Sequence, residues 1–141
     1  METAMEKLAR EKEKWGRFAE LSPDVIGAFG QMRAASCKEG GVLDFKTLEL
    51  ISVAVAVARK CEPCMLSHVE LAVEAGCTRE ELAAALNIAA SIFHSIAVQT
   101  VVTLSHGISF EAPILLCGGP GWAYSAMALD AFNQMSAAKG K

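Results

Sequence analysis

The apolar residues of the chain recur at intervals of three and four, and this spacing predicts helices. No run of alternating apolar and polar residues indicates a strand. Capping residues and clusters of glycine and proline divide the pattern into six segments, so we expect an all-α helical bundle. The predicted helices cover about residues 2–19, 23–37, 45–59, 61–76, 78–104 and 122–137, each boundary being good to ~2–4 residues.

Local signals mark the ends of several predicted helices. Asp44 can cap the N-terminus of the third helix. Gly76 suits the left-handed position that ends the fourth helix. Thr78 and Glu81 form a capping box, in which each side chain can bind the backbone N–H of the other residue, and this box opens the fifth helix. The glycine- and proline-rich run at 118–121 predicts a break before the last helix.

The charged side chains are concentrated in the first part of the chain, and only Glu111, Asp130, Lys139 and Lys141 lie after residue 81. The segment 82–104 carries no formal charge and is long enough to span a bilayer. Polar side chains interrupt this segment, and they are costly to place in hydrocarbon. We therefore expect a buried helix of a soluble protein. The interrupting residues are Asn87, Ser91, His94, Ser95, Gln99, Thr100 and Thr103.

Composition narrows the class of protein. A chain of 141 residues that is 52% hydrophobic suits one domain spanning 1–141 and excludes global disorder. The net charge is −3 and no Lys/Arg cluster stands unopposed, which argues against a nucleic-acid-binding surface. The charged start lacks the apolar stretch of a signal peptide, so we expect a cytoplasmic protein. In that compartment a close cysteine pair is more often catalytic or metal-binding than structural.

The residues that carry chemistry lie between 44 and 76. Cys61 and Cys64 are separated by two residues at a predicted helix start, where the helix dipole favours the thiolate and a disulfide ring can close. His68 lies one turn after Cys64 on the same helical face and can accept its proton. If the third and fourth helices fold back on each other, the carboxylate of Glu49 could reach His68 and orient the imidazole or relay a proton.

Other interpretations of these residues remain open. Cys61, Cys64 and His68 are acceptable zinc ligands, although no second CxxC pair supports a structural zinc site. A fourth ligand would have to come from Glu49, His94 or Cys77. In a third interpretation the cysteine pair serves as a redox sensor, whose disulfide changes the oligomeric state of an interaction protein.

The remaining cysteine and aromatic side chains are expected to pack. Cys37, Cys77 and Cys117 are interpreted as buried small apolar residues. Core or subunit-contact positions are expected for Trp15, Phe18 and Phe29. Packing is the default interpretation of three side chains that could border a pocket, His94, Trp122 and Tyr124.

The combination of Glu49, Cys61, Cys64 and His68 at these spacings resembles the signature of the alkylhydroperoxidase D-like branch of the carboxymuconolactone decarboxylase family. The resemblance covers residues 40–90, and a later glycine-rich run resembles a second, less specific element of the family. It implies an all-helical fold that assembles into trimers or hexamers. It also implies thiol peroxidase or disulfide reductase chemistry that uses neither a metal nor another cofactor.

The resemblance implies a role for each residue of the motif. Cys64 would be the peroxidatic thiolate, and Cys61 would resolve its sulfenic acid into a disulfide. His68 and Glu49 would form the proton relay. The substrate would be a peroxide or a small disulfide, and a dithiol or thioredoxin-like partner would restore the thiols. Pro63 stands where the best-studied branch has a histidine, so the relay is expected to differ here.

The uneven distribution of charge also bears on assembly. The uncharged segment 82–104 follows directly after the motif, and a domain this small would have difficulty burying all of its apolar surface. We therefore expect this segment and parts of the last helix to pack at subunit interfaces of a homo-oligomer, with the redox site opening beside them.

Overall fold

The described residues form six helices and no strand. The computed structural model describes residues 2–38, 40–104 and 112–140, and it describes the side chains of these residues except for 93–122. Over this part of the chain the all-α prediction is confirmed. The helices are α1 (Ala4–Leu21), α2 (Pro23–Ser36), α3 (Phe45–Ala58), α4 (Glu62–Glu74), α5 (Arg79–Leu104) and α6 (Ala112–Ala138).

The predicted end signals of α3, α4 and α5 are present. The Asp44 carboxylate accepts a hydrogen bond from the Thr47 backbone N–H at 2.8 Å. Gly76 follows α4 with a φ of 76°. The Glu81 carboxylate accepts from the Thr78 N–H at 2.8 Å, and the Thr78 hydroxyl accepts from the Glu81 N–H at 3.1 Å. These bonds satisfy N–H groups that helix geometry leaves without a partner.

The start of the last helix differs from the prediction. The glycine-rich run at 118–121 predicts a break, with the last helix beginning near residue 122. Instead α6 begins at Ala112 and continues through the run. Glycine and proline disfavour a helix interior by about 1 and about 3 kcal/mol per residue, and packing of a whole helix can outweigh that. α6 lies along α5 and also contacts α1, α3 and α4.

The core lies between α3, α4, α5 and α6, and the first two turns of α1 cover one side of it. α2 contributes no buried residue. Tyr124 packs against the core from α6, as its default interpretation predicts. The interlocked side chains hold α3 against α4, which is the pair of helices that carries the cysteine motif. The largest fully buried apolar residues are Val53, Val57, Met65, Val69, Val73, Leu82 and Leu86.

The aromatic residues near the α1–α2 connection do not reach the core. Trp15 and Phe18 lie 6.0 Å apart between ring centroids, and Phe29 of α2 lies 5.9 Å from Trp15. Each of the three side chains is about half exposed. The core interpretation of these residues is therefore wrong, and a subunit contact stays a prediction.

α5 has two unlike faces over its first half. Leu82, Leu86 and Ala89 are buried in the core of the chain, whereas Ile88 and Ile92 are 60% and 54% exposed. The segment therefore supplies core residues as well as the apolar surface that was expected to meet a partner. Among the described residues, no helix has both the length and the apolar character needed to cross a membrane.

Candidate active site

A tight reversal joins α3 to α4 and places the cysteine pair. Lys60 has a φ of 55°, in the left-handed region that residues other than glycine rarely adopt. The N–H groups of Lys60 and Cys61 donate to the carbonyls of Val57 and Ala56, both at 3.0 Å. These bonds turn the chain back at once, so that the first turn of α4 lies beside the last turn of α3.

Cys61 and Cys64 are joined by a disulfide with an S–S distance of 1.99 Å. Cys61 is the N-cap residue of α4, and Cys64 is in the first turn, where unpaired N–H groups and the positive end of the helix dipole lie. Cys64 is exposed and Cys61 is half-buried. Pro63 lies between them in the first turn, a position that tolerates its missing N–H.

Glu49 is the buried acid of the site. It lies in the second turn of α3 and is wholly inaccessible to solvent. Its Oε2 lies 2.7 Å from Nδ1 of His68, so the expected contact across the helix hairpin is present. His68 lies one turn after Cys64 on α4, and 16% of its side chain is exposed.

Arg33 of α2 completes the cluster, and the sequence offered no local signal for it. Its Nη2 donates to Oε1 of Glu49 at 3.1 Å, and its Nη1 lies 3.2 Å from Nε2 of His68. The three side chains thus form a closed triangle. A carboxylate buried in an apolar helix is costly without a partner, and the position of α2 makes Arg33 that partner.

The two contacts of His68 match one tautomer of the ring. A guanidinium has donors only, so a hydrogen bond from Arg33 needs the lone pair of Nε2. In the matching tautomer the proton is on Nδ1, and this N–H donates to the Glu49 carboxylate.

A cleft of about 520 Å³ opens beside the disulfide. Its α3 wall is largely apolar, and Arg59 stands where α3 ends. A small molecule in this cleft can approach the cysteine pair and the imidazole together. The lining residues are Ile51, Ser52, Val55, Ala56, Arg59, Cys61, Cys64 and His68.

The other cysteines take no part in the described site. Cys77 is buried as predicted, and burial raises the pKa of its thiol. Cys37 at the end of α2 is only half-buried, so the prediction of burial is wrong there; no residue of α2 itself is buried. Cys117, together with the side chains of His94, His106 and Trp122, lies outside the described residues.

The zinc interpretation finds no ligand set in the part of the chain that the structure describes. No group of three or more His, Cys, Asp and Glu side chains is placed there to hold a metal ion. Both sulfurs of the pair are engaged in the disulfide. Glu49, which was considered as a fourth ligand, is already bonded to Arg33 and His68.

Comparison with known proteins places the cluster in a family. Residues 23–105, which include Arg33, the cysteine pair and His68, match the carboxymuconolactone decarboxylase family. An uncharacterized protein of Cupriavidus necator is 30% identical over 132 residues, covering 93% of this chain and 94% of that protein. An uncharacterized protein of Haemophilus influenzae is 42% identical over 59 residues. That match covers 42% of this chain and only 51% of the length of that relative.

The fold agrees with the sequence comparison. The crystal structure of an apo carboxymuconolactone decarboxylase family protein from Legionella pneumophila matches with a TM-score of 0.68 and 29% identity. The match covers 92% of this chain and 97% of that protein.

Proposed function

The chain belongs to the carboxymuconolactone decarboxylase family, and on this premise we propose that it is a thiol oxidoreductase of the alkylhydroperoxidase D-like type. One observation carries the proposal. A disulfide of two-residue spacing lies at a helix N-terminus, one turn from an imidazole that a buried carboxylate orients. Decarboxylation of a lactone uses no cysteine pair, so that activity is not proposed.

In the proposed cycle the reduced protein reacts first. Cys64 gives its proton to Nε2 of His68, and the thiolate attacks one oxygen of the peroxide. The O–O bond breaks, the sulfur becomes a sulfenic acid, and the departing alkoxide takes the proton from His68 to leave as an alcohol. The exposure of Cys64 and its place in the cleft support this assignment.

The second half of the cycle returns the site to its dithiol form. The Cys61 thiol attacks the sulfenic sulfur, which forms the disulfide and releases water. A dithiol or thioredoxin-like reductant then donates two electrons and two protons, and it leaves as its own disulfide. A reducing cytoplasm, the proposed location, would supply such a reductant. Because Pro63 stands where the best-studied branch has a histidine, the relay here would consist of His68 and Glu49.

A thiol count after oxidation tests the proposal. One equivalent of an organic hydroperoxide added to the reduced protein should remove two thiols per chain. The Cys61→Ser variant should stop at a sulfenic acid on Cys64 that dimedone traps, and the Cys64→Ser variant should not react. Cys37→Ser is the matched control and should behave like the parent protein. Unchanged peroxide turnover in Cys64→Ser would exclude the proposed mechanism.

Turnover measured together with mass in solution separates catalysis from sensing. A redox sensor would be oxidised once, and its disulfide would change the oligomeric state without sustained turnover. Multiple turnovers with a dithiol such as dihydrolipoamide, at constant mass in solution, would support the enzyme. A single oxidation accompanied by a change of mass would support the sensor.

We also propose that the protein acts as a homo-oligomer. Large apolar side chains lie on the surface of α3 and α5, and an isolated chain would leave them in water. Ile51 and Val55 on α3 border the cleft, so a second copy covering this face would also shape the entrance to the redox site. These exposed side chains include Ile51 and Val55 on α3 and Ile88 and Ile92 on α5.

A further inference from the structure

We infer that Arg33 is a positioning residue of the redox site, which keeps His68 neutral with its proton on Nδ1. The inference rests on the proposed function and extends it to α2, a helix with no buried residue of its own. It concerns the state of the imidazole before any substrate binds.

The argument starts from the charge of Glu49. This carboxylate is fully buried, and a buried carboxylate needs a cationic partner to remain ionised. His68 and Arg33 both contact it, at 2.7 Å and 3.1 Å. A guanidinium is always charged, so Arg33 supplies the compensating charge whatever the imidazole does. His68 is thereby relieved of that role and keeps a lone pair for proton transfer.

The position of Arg33 also selects which nitrogen holds the lone pair. Nη1 lies 3.2 Å from Nε2, and a hydrogen bond between them requires the ring proton to be on Nδ1, facing Glu49. With only Glu49 nearby, a protonated ring would satisfy the buried charge, and an imidazolium cannot accept the thiol proton of Cys64.

The contact between Arg33 and Nε2 belongs to the disulfide state. While the sulfurs are bonded, Cys64 has no proton to give, and the lone pair of His68 can be occupied. In the dithiol state Nε2 must become free to accept the proton from Cys64. The Arg33 side chain is 36% exposed, so it can rotate toward solvent while the charge stays near Glu49.

Nitrogen NMR of the full-length oxidised protein tests the inference without relying on turnover. Uniformly labelled protein would be compared with His68→Gln, which identifies the signals of this ring among the three histidines. In the parent protein at neutral pH, Nδ1 should be protonated and Nε2 should show the shift of an unprotonated ring nitrogen. In Arg33→Met, both nitrogens should be protonated, because the imidazolium then balances Glu49.

Three further variants keep the result interpretable. Arg33→Lys retains the positive charge and should leave the ring neutral. Arg33→Met combined with Glu49→Gln removes both charges and should restore the neutral ring, even if the single Arg33→Met variant folds poorly. Arg17→Met removes an arginine from the exposed face of α1 and should leave the His68 signals unchanged.

A pH profile supplies the functional readout. Loss of Arg33 should slow the peroxide reaction of the reduced protein by about tenfold at neutral pH, with recovery at higher pH where the ring loses its extra proton. A merely structural role would lower the rate equally at every pH. The charged and titratable groups that contact the imidazole are Arg33 and Glu49, and those that line the same cleft are Arg59, Cys61 and Cys64.

Two results would overturn the inference. One is a parent protein whose His68 carries its proton on Nε2, since Arg33 could not then donate to that atom. The other is an Arg33→Met variant with the same ring signals as the parent. If the parent protein reduces no peroxide but shows the expected ring state, the proposed function fails and the role of Arg33 stands.

Discussion

Reduction of the Cys61–Cys64 disulfide should lower the stability of the protein only modestly, because the ring it closes is small. The bond spans a sequence separation of three. For a loop of about four residues, the chain-entropy relation gives a stabilisation of about 2 kcal/mol. Dividing this free energy by the unfolding entropy of a chain of 141 residues gives a decrease of about 6 °C in Tm on reduction.

The packing of α4 explains why the fold should survive reduction. Met65, Leu66, Val69 and Val73 are at most 2% exposed, and they hold the helix against the core independently of the sulfurs. Burying side chains of this size contributes about 1.5–3 kcal/mol each, so the core outweighs the disulfide. A redox pair needs this property, since it must open and close without unfolding the protein.

Thermal unfolding followed by circular dichroism measures the difference. The oxidised protein, the same protein in excess reductant, and the Cys61→Ser/Cys64→Ser double variant would be compared. The reduced protein and the double variant should melt at the same temperature, and reductant should not shift the double variant. The reasoning would be wrong if the reduced protein lost its cooperative transition, or if Tm fell by several times more than about 6 °C. Either result would show that the fold depends on the disulfide.

Three further outcomes are expected. Glu49→Gln keeps the shape of the acid but removes its charge, so peroxide turnover should fall by about 100-fold. A circular dichroism spectrum like that of the parent protein would show that the fold is intact. In the fully reduced protein at neutral pH, Cys77 should be alkylated far more slowly than Cys37, because burial raises the pKa of Cys77 and keeps this side chain as the thiol. Peptide mass mapping measures the two alkylation rates, and equal rates would contradict the prediction. The parent protein should sediment as a homo-oligomer, and Ile88→Asp with Ile92→Asp should weaken the assembly; a stable monomeric parent protein would exclude the proposed interface.

The helix ends and the cysteine motif were predictable because they depend on residues close in sequence. A cap such as Asp44 bonds to a backbone group three residues away, and the capping box of Thr78 and Glu81 does the same. The spacing from Cys64 to His68 likewise places both on one face of any helix that contains them. In these cases helix geometry alone brings residues three or four apart in sequence close to each other.

The last helix shows where such local reasoning fails. Glycine and proline at 118–121 predict a break in the helix, and this prediction rests only on the low helix propensity of these residues. α6 nevertheless runs unbroken from Ala112, in contact with four other helices. The buried side chains described on α6 all follow the run, from Ser125 to Met135, and they anchor the helix against its neighbours. Such packing adds over many residues, whereas each propensity penalty applies to a single residue.

By itself, the sequence determined an all-helical chain, the cysteine pair at a helix start, and a histidine one turn beyond it. It also indicated that the carboxylate of Glu49 could reach His68. Only the tertiary structure decided that Glu49 has a second partner in Arg33, which lies on a helix with no buried residue. The physical reason is that a buried charge demands a counter-charge of the right sign, and the packing of the helices determines which residue reaches it.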